Sequence, residues 1–225
     1  MGGAPRHWLD DPATPAPARP GGEPRGTGRV QKNLAQAVAE EAERHPGAVI
    51  ETFATDEHRV GLKPILRRIW APRGERPVAV GHHRFEWLYV TAFVSPKTGE
   101  SFWYLSTGIS KQDFEDVLAL FAREAGAGRD RIIVLVLDNA GWHSSLGLTV
   151  PEGIRLVYLP PYTPELQPAE TLWVHLDEPI VNRHFDSLAD LDAVVARQCV
   201  ALNSDRDRVR GQAGFHWWPD RVVPN

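Results

Sequence analysis

The chain has 225 residues, of which 42% are hydrophobic, and this is enough for one folded domain with tails. No run of about 18 apolar residues and no signal sequence is present, so we expect a cytoplasmic protein without a membrane partner. The single cysteine, Cys199, excludes a disulfide or a thiolate zinc site, and the net charge of −4 means that any affinity for nucleic acid must come from local clusters of arginine.

The first half of the chain predicts a leader, a helix and three strands. Residues 1–28 are rich in Pro, Gly and Arg and are expected to form a disordered leader. Val30, Leu34 and Val38 then recur with helical spacing, and the predicted helix ends near position 46. Residues 48–55 favour a strand that ends on Asp56 and Glu57. Two aromatic runs, 84–94 and 100–105, predict a hairpin.

The second half alternates helices with buried strands. Ser110 begins a helix with capping-box spacing, and residues 132–137 form an apolar strand that stops at Asp138. After a second strand-like run, a proline-rich segment places Glu170 in the first turn of a helix that extends towards position 182. A last helix is expected over 187–202. The order predicts an α/β domain, residues 29–203, with a mixed five-stranded sheet flanked by helices, and an irregular tail over 204–225.

Three acids, Asp56, Asp138 and Glu170, lie at predicted strand ends and a helix start. Carboxylates in such positions can hold two Mg²⁺ ions, which activate a water or a 3′-hydroxyl and stabilise the leaving oxygen of a phosphodiester. Acids at these positions also commonly act as caps or solvated ends. Spacing alone leaves both interpretations open.

Four blocks of sequence carry a family resemblance: TDEHRVGL, RRIWAPRGERPV, VLDNAGWH and LPPYTPELQPAETLW. In this order they resemble the catalytic domain of mariner-related bacterial insertion-sequence transposases of the DDE superfamily. The resemblance implies a ribonuclease-H-like core and a catalytic, metal-binding triad of Asp56, Asp138 and Glu170. It also implies Mg²⁺ as cofactor, with Mn²⁺ able to substitute. Thr163 and Gln167 replace the family's usual Ser and Asn.

The resemblance further implies DNA transposition, with double-stranded DNA as partner in the form of transposon ends and target, and a homodimer on that DNA. Full-length members carry helix-turn-helix modules ahead of the catalytic domain, which here would be a separate or fused N-terminal product. An alternative is a catalytically inactive, truncated remnant that acts at most as a DNA-binding or dimerising partner. A third interpretation is a nuclease that cuts DNA without joining strands.

Other residues have two interpretations each. The densest basic stretch is expected to contact the DNA backbone, through Arg67, Arg68, Arg73 and Arg76. His143 is a candidate for contact with a DNA phosphate or for a hydrogen-bonded structural role. Asn139 is expected to orient Asp138 or a water, or to be structural. Glu57 is a candidate fourth ligand, but it should point to the opposite face of the strand from Asp56, which favours a supporting role. Four tryptophans are predicted in the core, with stacking on DNA bases as the alternative: Trp70, Trp87, Trp103 and Trp173.

Overall fold

The structure is a computed structural model that describes residues 27–75, 84–143 and 147–223. Its helices are α1 (Thr27–Arg44), α2 (Lys111–Glu124), α3 (Trp173–Asp177), α4 (Leu188–Ser204) and α5 (Arg206–Ala213). Its strands are β1 (Val49–Gly61), β2 (Trp87–Val94), β3 (Ser101–Ser106), β4 (Arg131–Leu137) and β5 (Ile154–Tyr158). Among the described helices, none has the length and apolar character needed to cross a bilayer.

The strands form one sheet in the order β3-β2-β1-β4-β5. Pairing is antiparallel between β1 and β2 and between β2 and β3, and parallel between β1 and β4 and between β4 and β5. The predicted mixed five-stranded sheet is therefore confirmed. The parallel half has its strands' carboxyl ends at one edge, where ligands of open α/β sheets commonly bind.

Strand β1 is longer than predicted, because it does not end at the acids. It continues to Gly61, since β2 pairs with it from Ala54 opposite Val94 to Gly61 opposite Trp87. On its other side β1 leaves β4 at Ala54, which pairs with Val136. Asp56 and Glu57 therefore lie where β1 is still paired with β2 but has passed the end of its pairing with β4.

Both faces of the sheet are covered, as the continuous apolar run of β4 predicts. Alternate β4 residues enter two different hydrophobic clusters. The cluster with α1 and α5 contains Ile132, Val134 and Val136. The cluster with α2 contains Ile133, Leu135 and Leu137. A third cluster packs α3 and α4 against β2, and it includes Cys199, which is buried as expected.

Several sequence predictions are corrected by the structure. The irregular tail over 204–225 contains α5, whose Val209 is buried beside Trp217 and Trp218. The helix after Glu170 ends at Asp177 and not near position 182. Trp70, predicted in the core, is fully exposed in a segment without regular structure. The predicted leader lies outside the described residues, apart from positions 27 and 28, which belong to α1.

Helix α4 begins at the predicted serine cap, which gives a stability prediction. The Ser187 hydroxyl accepts a hydrogen bond from the Asp190 backbone N–H at 3.2 Å and donates to the Asp190 carboxylate at 2.7 Å. Ser187→Ala should cost about 1 kcal/mol, or roughly 2–4 °C in melting temperature. Thermal unfolding checks this against Ser204→Ala, an exposed hydroxyl at the other end of α4. Equal melting temperatures for the two variants would contradict the cap.

Candidate active site

The three predicted acids meet at one cavity of about 350 Å³ at the carboxyl edge of the parallel strands. Asp56 lies on β1, and Asp138 follows β4 directly. Because Ala54 pairs with Val136, the two aspartates, each two residues further on, lie side by side. Glu170 comes from a 3₁₀ turn, Ala169–Leu172, that leads into α3. This agrees with its predicted place in a first helical turn.

The carboxyl groups of Asp56 and Glu170 are hydrogen-bonded to each other. Burial, followed by a side-chain hydrogen bond with Glu170 and the negative charges of Glu170 and Glu57, raises the pKa of Asp56 well above its ordinary value. A hydrogen bond from the indole N–H of Trp173 to Asp56 Oδ2, at 2.8 Å, opposes this shift in pKa. Two carboxyl groups in contact favour one shared proton when no cation is bound between them.

Asp138 has the opposite electrostatic character. A hydrogen bond from His143 lowers its pKa, partial burial opposes this effect, and the Ala140 backbone N–H adds to the lowering. Both donors reach Oδ1, at 2.8 Å from His143 Nδ1 and 2.9 Å from Ala140 N. The Asp138 side chain is 51% exposed. Asp138 is therefore an accessible carboxylate with a lowered pKa, and it lies beside Asp56, whose pKa is raised.

His143 is buried behind Asp138, with 1% of its side chain exposed. Its Nε2 lies 3.0 Å from Glu57 Oε1, while its Nδ1 bonds to Asp138. Burial disfavours the charged ring, but hydrogen bonds to the two carboxylates and their charges outweigh it and raise the pKa of His143 to about 9. Both ring nitrogens are thus engaged inside the protein, which favours the hydrogen-bonded structural role over contact with a DNA phosphate.

Two amides hold the loops around the cavity. The side chain of Asn139 donates to the Leu159 carbonyl and so ties the end of β4 to the end of β5. The buried amide of Gln167 donates to the Thr55 carbonyl at 2.8 Å, next to Asp56. Sequence reasoning noted Gln167 only as a replacement for the family's Asn, and it assigned Trp173 only to the core. Neither contact has a local sequence signal, because the partners are distant in the chain.

The predicted basic stretch does not line the cavity. Arg67, Arg68 and Arg73 lie in the exposed segment after β1, and Arg76 lies outside the described residues. The backbone of Arg67 is held by the side chain of Asn182, which accepts from Arg67 N at 2.9 Å and donates to Arg67 O at 3.1 Å. Its guanidinium lies 3.8 Å from Asp177. Arg68 and Arg73 are therefore more available for an external phosphate than Arg67.

The donor set fits a hard divalent cation. All three acids offer carboxylate oxygens to one cavity, which is the ligand type that Mg²⁺ and Mn²⁺ prefer, and the imidazole of His143 is turned away. Across the described ranges, however, no three His, Cys, Asp or Glu side chains are close enough together to hold a metal ion.

Comparisons with known proteins agree with this geometry. The model of the DDE superfamily endonuclease family matches residues 51–192, which include all three acids. The chain is 35% identical over 118 residues to "Uncharacterized protein y4pE/y4sA" of Sinorhizobium fredii (strain NBRC 101917 / NGR234), with 52% of this chain and 84% of that relative covered.

Two similar solved structures are the Mos1 strand transfer complex and the Mos1 mariner paired end complex with Mn, each at 13% identity and a TM-score of 0.50. Both matches cover 92% of this chain and 68% of the Mos1 chain. The structural similarity confirms the predicted ribonuclease-H-like fold. The family match spans β1 to the start of α4 and so contains the whole carboxylate cavity. The chain belongs to the DDE superfamily endonuclease family.

Proposed function

We propose that this chain is the catalytic domain of a transposase that cuts DNA and joins the exposed 3′-hydroxyl to a target strand. The observation that carries the proposal is the meeting of Asp56, Asp138 and Glu170 at one cavity. Membership in the DDE superfamily endonuclease family supports DNA phosphodiesters as the substrate class. The solved Mos1 structures are named as strand transfer and paired end complexes, which supports double-stranded DNA as the partner.

In this proposal the three acids hold two Mg²⁺ or Mn²⁺ ions. When bound, the cations would supply activation of the attacking oxygen and stabilisation of the leaving oxygen. The protein orients the ligands: Trp173 fixes one oxygen of Asp56, and the Ala140 N–H fixes one oxygen of Asp138. Glu170 hydrogen-bonds to Asp56, so a cation that displaced the proton of Asp56 would have both carboxylates as ligands.

The bond changes are two displacements at phosphorus. In the first, a water oxygen bonds to phosphorus, the bond between phosphorus and the 3′-oxygen breaks, and that oxygen takes a proton to become a 3′-hydroxyl. In the second, this hydroxyl oxygen loses its proton and bonds to a target phosphorus, while the bond from that phosphorus to a target 3′-oxygen breaks and the leaving oxygen takes up a proton. No side chain forms a covalent intermediate. The requirements on the protein are positioning and electrostatic stabilisation.

A catalytically inactive remnant is the second candidate. It is favoured by the finding that the three carboxylates, although they line one cavity of the described structure, are not gathered closely enough to hold a metal ion. It differs from the first proposal in chemistry alone, because both share the fold. A nuclease without strand joining is a third possibility, and it differs in the second displacement only.

Incubation of the purified chain with supercoiled plasmid in Mg²⁺ or Mn²⁺ tests the proposal. We expect nicked plasmid, and joining of a labelled oligonucleotide through its 3′-hydroxyl. Nicking without joining would indicate the nuclease. Absence of nicking in either metal, also after fusion to a related helix-turn-helix region, would contradict the proposal and favour the remnant. Cross-linking on DNA tests the proposed homodimer.

The exposed arginines after β1 give a DNA-binding prediction. We expect Arg68→Ala with Arg73→Ala to weaken binding several-fold and to reduce the salt dependence of the affinity by roughly one unit of slope for each phosphate that is no longer neutralised. Band shifts over a salt series measure this. Arg129→Ala is the matched control, because its side chain is 91% exposed at the start of β4, the opposite edge of the sheet. An equal effect of the control would exclude a specific basic surface for DNA.

A further inference from the structure

The contacts behind Asp138 form a chain of three residues that crosses the sheet edge. Asp138 Oδ1 bonds to His143 Nδ1 at 2.8 Å, and His143 Nε2 bonds to Glu57 Oε1 at 3.0 Å. Glu57 is the neighbour of Asp56 on β1, and its side chain points to the opposite face, as alternation along a strand requires. We propose that Glu57 and His143 are positioning residues that fix the orientation of the Asp138 carboxylate for cation binding.

Glu57 has no free oxygen for a cation, because both of its carboxylate oxygens accept hydrogen bonds. The indole N–H of Trp142 donates to Oε2 at 3.1 Å, and His143 occupies Oε1. The side chain is 5% exposed. Glu57 also does not line the carboxylate cavity. An enclosed carboxylate of this kind can act only through the imidazole to which it is hydrogen-bonded. Carboxylates commonly orient the ligands of metal sites by such hydrogen bonds.

The buried His143 ring has little freedom to turn. The backbone N–H of His143 donates to the Ala140 carbonyl at 2.9 Å, and its own carbonyl accepts from the Tyr158 hydroxyl at 2.7 Å. Phe114 of α2 packs on the ring with centroids 4.3 Å apart. The ring is therefore fixed by β5, α2 and Glu57 together, and Nδ1 is presented to Asp138 in one direction.

Asp138 depends on these contacts for the orientation of its side chain. It follows the last residue of β4 and is half exposed, so the strand alone does not fix its side chain. The bonds from His143 and Ala140 both reach Oδ1. Asp138 Oδ2 accepts neither of these two bonds. Without His143, only the backbone bond from Ala140 would restrain the carboxylate.

This inference rests on the proposed metal-dependent function, and Mn²⁺ alone is the probe that tests it. We expect His143→Ala to lower Mn²⁺ affinity about 10–100-fold, measured by titration calorimetry and by electron paramagnetic resonance of free Mn²⁺. Glu57→Gln keeps an oxygen acceptor and the side-chain volume, so it should lower the affinity less. His143→Gln retains N–H donors and should recover part of the affinity that alanine loses.

Phe121→Leu is the matched control, because Phe121 lies on α2 in the same hydrophobic cluster and stacks on Phe93, with centroids 4.0 Å apart, and not on the His143 ring. Its Mn²⁺ affinity should stay within about threefold of the wild type, whereas the 10–100-fold range applies to loss of an orienting partner. Equal affinities of His143→Ala and wild type would overturn the positioning role, as would equal losses in His143→Ala and Phe121→Leu. If the wild type itself binds no Mn²⁺, the proposed function fails together with this inference. Binding by the wild type without DNA cleavage leaves the positioning role measurable by affinity.

Discussion

Asp138→Asn is expected to lower Mg²⁺-dependent DNA cleavage by roughly a thousandfold or more, because removal of a carboxylate ligand from a metal site removes several kcal/mol of transition-state stabilisation. The fold should remain intact. The amide oxygen of asparagine can accept the same hydrogen bonds that Asp138 Oδ1 accepts from His143 and Ala140. Plasmid nicking under single-turnover conditions measures the loss, and thermal unfolding checks the fold.

Glu165→Gln is the control for this experiment. Glu165 is an exposed carboxylate in the same proline-rich loop, but it does not line the cavity. Its conversion to an amide should leave cleavage nearly unchanged. If Asp138→Asn cuts DNA as fast as this control, the assignment of Asp138 as a metal ligand is wrong.

Asp56→Asn is expected to have two effects of opposite sign. Cleavage should fall by a factor similar to that of Asp138→Asn, since another metal-binding carboxylate is removed. The metal-free protein should nevertheless become more stable at neutral pH by on the order of 1 kcal/mol, or about 3 °C in melting temperature. The asparagine oxygen can accept the Trp173 N–H, and its amide can donate to Glu170 without a proton being taken from water.

The direction of the pH dependence follows from the raised pKa of Asp56. Its folded pKa lies above the unfolded value of about 3.8, so the folded state binds more protons than the unfolded state between the two values. Stability from this group therefore falls as pH rises from about 4 through the folded pKa. Urea unfolding of metal-free protein over a pH series should show this decline in the wild type.

The variant Asp56→Asn should show a smaller decline with pH and a smaller stabilisation by Mn²⁺. Parallel pH profiles of the two proteins would contradict the raised pKa of Asp56 beside Glu170. Equal stabilisation by Mn²⁺ would show that the cation does not bind at Asp56. Glu165→Gln serves again as the control, because it converts an exposed carboxyl group to an amide at a site outside the cavity.

Much of the fold follows from local sequence patterns. The apolar run of β4, the hairpin of β2 and β3, and the serine caps of α2 and α4 occur where the periodicity and capping residues predict. Helix α5 was missed because it is only 8 residues long, has the sequence RDRVRGQA, and presents few apolar positions. Trp70 was predicted in the core because the stretch around it resembles a regular element. In the described structure no partner surface covers its side chain.

The sequence by itself determined the elements of this protein, its three candidate acids and its family resemblance. Helices and strands each impose a spacing on their apolar residues, and this spacing is visible within a single segment of sequence. Only the tertiary structure decided which partners hold the acids. Trp173 bonds to Asp56 over 117 positions, and His143 bonds to Glu57 over 86 positions. Such pairs depend on strand order and register, which bring distant segments together, and no local pattern records them. The same long-range packing favours the structural interpretation of His143 over DNA contact, because it buries the ring between Asp138 and Glu57.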